Sequence, residues 1–331
     1  MQMTRTLLAT VAALTMTSLT PDAASSQAAT PPASAPAGAA AHAAGTFEWH
    51  TYTGAGGTRR YRLFVPAGYD AARPAPLVVM LHGCTQDPDD FARGTRFNDA
   101  AASAGVLVAW PEQPAASQVQ KCWSWYDPAH QAAAGGEPAL IAGITHEVMA
   151  SHAVDVSRVY IAGVSAGAAM AVNTAASHPG LYAAVASHSG IPYRAASDVP
   201  HALGVMRSGS PDPAILAYAL QDALGSRAMP LIAIHGAADH VVAPVNSRQL
   251  AATWAGVLRV QSSAPQQATE GGLAVERTRW KGADGKTAVE LVIVDGLGHA
   301  WSGGSPEGTF TDARGPDASR VILRFLLDHR R

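Results

Sequence analysis

The chain has 331 residues, 48% of them hydrophobic and 15% charged, a composition that excludes a disordered chain and provides for a sizeable buried core. With 23 Lys and Arg against 25 Asp and Glu, and the basic residues scattered, it offers no basic face for nucleic acid and no acidic tail.

At the N-terminus, Arg5 precedes the apolar stretch Leu7 to Leu19, followed by Pro21 and the small-residue run AASSQAAT. That is the layout of a secretory signal peptide over residues 1–28, with cleavage after Ala28 and Ala24 as a competing site. The stretch is too short to span a bilayer and no later segment reaches transmembrane length, so a soluble, exported protein is expected. Residues 29–45 are rich in Ala and Pro and nearly free of charge, which reads as a linker unable to bury enough surface to order itself. The folded domain is expected over 46–331. Export bears on the two cysteines, Cys84 and Cys122. In an oxidising compartment two thiols most simply form one disulfide; two buried free cysteines are the alternative.

Beyond the linker, β-branched runs alternate with helical patterns. Residues 60–66 and 76–83 read as strands, and 89–105 as a helix through Phe91, Phe97 and Ala101 that stops at Gly105. A strand at 106–111 ends in Pro111, a helix covers 138–152, and a strand at 158–163 runs into a helix at 166–179. Further strands are expected at 182–190, 230–236 and 289–296, with an irregular insertion around 191–228 and a closing amphipathic helix at 318–329. Such alternation implies one α/β domain, a mostly parallel sheet with helices on both faces.

Gly163-Val164-Ser165-Ala166-Gly167 lies where a buried strand meets a helix. In a chain with 31 Gly a G-x-S-x-G arises readily by accident, so its setting must decide. A strand-to-helix turn is the setting of a nucleophile elbow, with glycines removing side chains that would clash. A serine hydroxyl needs a base and the base an orienting acid, each in a loop after a later strand. Asp239 follows the strand at 230–236, and His299 follows that at 289–296, flanked by Gly296 and Gly298. Asp295 is the rival acid, disfavoured because it would have to fold back to reach the imidazole. Backbone amides for a developing oxyanion are expected from Ala166, next to the serine, and from Cys84 in the loop after the early strand. His82 is read as bracing that loop. Trp123 and Trp125 could pack in the core, but are taken with Trp301 as candidate substrate-binding residues at the site, Trp301 in the pocket wall.

With LHGCTQ, CWSWY, GVSAGAAM, HGAADHVV and GHAWSGG in this order over residues 60–303, the chain resembles the poly(3-hydroxybutyrate) depolymerase family of α/β-hydrolase esterases. Feruloyl and acetylxylan esterases are relatives. The resemblance implies the triad Ser165, Asp239 and His299, oxyanion donors at Cys84 and Ala166, and a disulfide between Cys84 and Cys122. It also implies hydrolysis of short-chain polyhydroxyalkanoate or related carboxylic esters through an acyl-enzyme. Feruloyl or acetylxylan ester hydrolysis, poly(aspartic acid) hydrolysis, and a non-catalytic secreted binding protein on the same scaffold are the alternatives. The absence of a polymer-binding domain after the catalytic region leads us to expect weak action on crystalline polymer. No cofactor and no metal are expected, since the histidines are not paired at ligand spacing. A polyester or small ester is the expected partner, and the sequence leaves the oligomeric state open.

Overall fold

The continuous apolar runs of the sequence form the centre of one sheet, as strands buried on both faces must. A computed structural model of the protein describes residues 44–331 except 55. The signal-peptide expectation, and the linker expectation up to residue 43, lie outside the described residues.

The chain opens with an antiparallel pair, β1 (Gly45–Gly54) and β2 (Gly57–Pro66), and then enters the fully buried β3 (Ala75–Leu81). Helices α1 (Pro88–Thr95) and α2 (Phe97–Ala104) lead to β4 (Leu107–Pro111), and α3 (Gly136–Ser151) to β5 (Val154–Val164). Next come α4 (Ala166–Ser177), β6 (Ala184–His188), α5 (Val199–Ser208), α6 (Pro213–Leu224), β7 (Leu231–Gly236) and α7 (Val245–Leu258). The short β8 (Gln261–Ser262) precedes β9 (Gln266–Glu270), β10 (Leu273–Lys281) and β11 (Thr287–Val294). A small pair, β12 (Trp301–Ser302) and β13 (Thr311–Asp312), precedes the last helix, α8 (Ala318–Leu327).

The strand order is β1-β2-β4-β3-β5-β6-β7-β11-β10-β8, with β9 beside β10. The six strands from β4 to β11 are parallel, and antiparallel strands close both edges. In β3 the side chains alternate with period two. Leu77, Val79 and Leu81 join a core with Ile141, Met170 and Trp254, whereas Val78 and Met80 join Phe91, Phe97, Trp110 and Phe325 on the other face.

Three features differ from expectation. The helix expected over 89–105 breaks at Arg96, which takes a left-handed φ of 51° and sends its guanidinium to the Gly303 carbonyl at 2.9 Å. The insertion at 191–228 contains α5 and α6. Each begins at an Asp cap, Asp198 or Asp212, with proline in the first turn, a start signal that composition masks. Finally, β1 and the β9–β10 hairpin are polar edge strands, which lack the apolar runs that marked the central ones.

The parallel register gathers polar side chains at one edge of the sheet, where open α/β sheets place their sites. His82 follows β3, Ser165 follows β5, His188 ends β6 and His235 lies near the end of β7. His82 donates from Nδ1 to the Gly83 carbonyl at 2.8 Å and accepts at Nε2 from the Gln113 amide at 3.0 Å. It therefore braces its loop, as expected. His188 accepts from the Ser302 amide at 3.3 Å and stacks on Trp301.

Burial pushes the His82 pKa down to about 4. Burial, with His235 and His299 nearby, pushes that of His188 down to about 3. Below about pH 6.5 both residues take up protons in the unfolded chain but not in the folded one, so folding stability falls as pH falls. Between about pH 6.5 and 5 each should remove on the order of 1 kcal/mol per pH unit. Urea unfolding over that range should show a falling midpoint, and a midpoint that stays level would contradict the assignment.

Candidate active site

The turn at Ser165 is strained in the way an elbow requires. Its φ is 55° and ψ is −122°, a region that costs a non-glycine residue on the order of 1–3 kcal/mol. Surrounding contacts hold it there: the Ser165 amide donates to the His188 carbonyl at 2.9 Å, and its own carbonyl accepts from the Ala169 amide at 3.0 Å. The flanking glycines allow α4 to sit close to the sheet. A Cβ on Gly167 would lie 2.2 Å from the Leu81 carbonyl oxygen, and one on Gly163 would lie 2.5 Å from the Gly167 backbone.

Three loops meet at this turn. Ser165 Oγ is 2.9 Å from His299 Nε2, and His299 Nδ1 is 2.7 Å from Asp239 Oδ2. Asp239 Oδ1 accepts from the amides of Val241 and Val242, both at 2.9 Å. The Asp239 side chain is fully buried, which by itself would raise its pKa. Hydrogen bonds from His235 and His299 outweigh that penalty and hold the carboxyl well below the usual carboxylate range. The rival Asp295 is exposed and takes no part.

Cys84 and Ala166 both line the same cleft, and among the described residues no hydrogen bond engages the amide of either. A disulfide joins Cys84 to Cys122, so the alternative of two free thiols falls. The bridged strands of loop are also tied by the Thr85 amide, which donates to the Gln120 carbonyl at 2.6 Å. Behind them, buried Glu137 accepts from the Ser124 amide at 2.7 Å and from Gln113 Nε2, which also donates to the Cys122 carbonyl at 3.1 Å.

The cleft has a volume of about 400 Å³ and reaches Ser165 and His299. Trp125 and Tyr126 form part of its wall, with Ile191, Met206 and Val242. Half-exposed Val199, Leu203, Val241 and Phe310 stand at its mouth. None of the lining side chains carries a formal charge if His299 is neutral.

Two expectations for the aromatics are corrected. Trp123 is buried and does not line the cleft; its indole donates to the His82 carbonyl at 3.0 Å. An extended segment would have placed it beside Trp125. Instead, Lys121 is left-handed and a turn closes from the Asp127 amide to the Ser124 carbonyl. Trp301 is also buried. It is turned inward by the bend at Gly298–Ala300, stacks on His188 and donates to Ser319 Oγ at 3.2 Å. The cleft residues from α5, and His235 behind Asp239, were not anticipated. The Asp198 cap and the proline in its first turn could have disclosed α5, but nothing in its sequence marked the face turned to the serine.

Among the described residues no group of three His, Cys, Asp or Glu side chains could hold a metal ion, and no helix is long and apolar enough to cross a membrane.

Comparison with known proteins matches the family described as "Esterase PHB depolymerase" over residues 59–271. Poly(3-hydroxyalkanoate) depolymerase C of Paucimonas lemoignei is 30% identical over 239 residues, covering 71% of this chain and 56% of the depolymerase. The chain thus spans little more than half the length of that relative. Acetylxylan esterase A of Emericella nidulans is 27% identical over 252 residues, covering 72% of this chain and 79% of that protein. Among solved structures, an acetyl xylan esterase from Aspergillus awamori superposes with a TM-score of 0.64 at 22% identity, over 76% of this chain and 94% of its own, a likeness of fold. With the family matched over more than half its length and the sheet order described above, the chain belongs to the PHB depolymerase family of esterases and has the α/β-hydrolase fold.

Proposed function

We propose that the protein is a secreted serine esterase acting on neutral, short-chain polyhydroxyalkanoate or related carboxylic esters through an acyl-enzyme. The observation that carries this reading is the unbroken line Ser165, His299, Asp239 at the floor of an apolar cleft. His299 Nε2 takes the Ser165 proton as Oγ attacks the ester carbonyl, while Asp239 holds Nδ1–H and balances the imidazolium charge. The amides of Cys84 and Ala166 receive the oxyanion. Collapse of the tetrahedral intermediate expels the alcohol with the proton from His299, and water then releases the acid by the reverse route.

The cleft supports a neutral acyl group. A polyanionic chain such as poly(aspartic acid) would bring carboxylates among apolar walls with no cationic side chain to meet them. Secretion is supported by the leader-like segment before residue 29 and by a disulfide, which persists in oxidising compartments.

Replacing Ser165 or His299 with Ala should each lower kcat on p-nitrophenyl butyrate by about 10⁴-fold or more, and the double variant should lose little further, because triad members act as a unit. Comparable turnover in Ser165→Ala would end the reading.

The bridge from Cys84 to Cys122 closes a loop with a sequence separation of 38, worth about 4 kcal/mol in the chain-entropy model. Because Cys84 also supplies an oxyanion amide, Cys122→Ser assayed well below its melting temperature should still lose kcat with KM little changed. Full kcat at that temperature would detach the bridge from catalysis.

For the acyl group, kcat/KM on p-nitrophenyl butyrate should exceed that on the anionic p-nitrophenyl succinate by about tenfold or more, the cost of an uncompensated charge in an apolar site. Equal values would contradict a cleft selective for neutral acyl groups. A hundredfold preference for methyl ferulate over a hydroxybutyrate trimer would move the protein to the feruloyl esterase side of the family.

A further inference from the structure

The acid of the candidate triad is shared by a second histidine. His235, fully buried near the end of β7, places Nε2 3.2 Å from Asp239 Oδ2, the same oxygen that receives His299. Its Nε2 is also 2.8 Å from the Val242 carbonyl, and its Nδ1 is 2.6 Å from the buried Ser247 Oγ on α7. A carbonyl only accepts, so the Nε2 position must carry a proton, and that proton is shared between Val242 O and Asp239 Oδ2. In the neutral ring Nδ1 is then an acceptor and Ser247 donates to it. The result is a nearly mirrored row, Ser165–His299–Asp239–His235–Ser247. One end opens on the cleft; the other is sealed in the core.

We infer that His235 is a positioning residue for the reaction, fixing the Asp239 carboxylate through Oδ2 and drawing charge away from the oxygen that faces His299. The inference rests on the triad roles proposed above for Ser165, His299 and Asp239. With two amides on Oδ1 and two imidazoles on Oδ2, the carboxylate cannot rotate without losing a charge-assisted hydrogen bond. Ser247 in turn sets the edge of the His235 ring that faces Asp239. Without the His235 donor, Oδ2 presents more negative charge to His299, so the imidazolium of His299 persists to higher pH and the base is less available. The titratable groups facing His299 in this arrangement are Asp239, His235 and the neutral His188.

The test compares His235→Leu, which removes the donor, with His235→Gln, whose side-chain amide returns an N–H near the Nε2 position. In His235→Leu, kcat should fall about 10- to 100-fold, the share carried by one charge-assisted hydrogen bond, with KM within about twofold and the acid limb of the kcat profile moved to higher pH. His235→Gln should recover most of the rate and return the limb toward its original position. Unchanged kcat and an unmoved limb in His235→Leu would overturn the inference, as would a His235→Gln variant no better than His235→Leu. Should His235→Leu fail to fold, nitrogen NMR of the unmutated protein labelled with ¹⁵N-histidine decides, with the His235 signals identified by their shift in Ser247→Ala. A proton on Nε2 supports the inference, and a neutral ring with its only proton on Nδ1 overturns it. Burst titration of each preparation with diethyl p-nitrophenyl phosphate reports the nucleophile separately. No burst in the unmutated protein sinks the triad reading itself, whereas a full burst with unchanged kcat in His235→Leu sinks only the role of His235.

Discussion

A single buried carboxylate organises the site. Asp239 has no exposed side-chain surface, and an ion taken out of water at such a place is tolerated only if donors replace its hydration. Two backbone amides and two imidazoles do so, and they come from different parts of the chain: the loop after β7, β7 itself and the loop after β11. Satisfying one charge therefore fixes the mutual positions of three segments. The neighbouring His188 remains neutral because burial and the adjacent rings disfavour a further positive charge.

The serine side of the site depends on backbone packing. Ser165 occupies its strained conformation because α4 lies against β3 and β5 closely enough that neither Gly163 nor Gly167 has room for a Cβ. The same close approach accompanies the placing of Ala166 and Cys84, the proposed oxyanion donors, on the lining of one cleft. The disulfide and the Glu137–Gln113 hydrogen bonds hold the segments around Cys84 and Cys122, the first of them the proposed second oxyanion donor, against that framework. Donors fixed before substrate arrives need no reorganisation when charge develops.

The cleft adds a different kind of constraint. Its walls come from the segment after the disulfide, from α5 and from the loop after Asp239. A rim of half-exposed Val199, Leu203, Val241 and Phe310 is unfavourable in water and gains when an apolar ester covers it. The neutral acyl chain proposed as substrate would supply such a cover.

Much of the arrangement was legible in the residues. The apolar runs of β3, β5, β7 and β11 announce buried parallel strands, and the G-x-S-x-G turn with the order of the later strand-end loops pointed to Ser165, Asp239 and His299, because a triad on such a sheet is drawn from loops at one edge of the strands. Two cysteines in a chain bearing a leader-like segment suggested their pairing. Local patterns do not, however, say which way a side chain turns once its segment bends. Trp123 and Trp301 were expected at the cleft but lie in the core, since a left-handed Lys121 and the bend before Trp301 redirect them. The face of α5 turned to Ser165, and the meeting of His235 and Ser247 behind Asp239, arise from contacts between distant segments. Periodicity and spacing set the elements and their order; long-range packing alone decided which side chains share the cleft and which support it from the core.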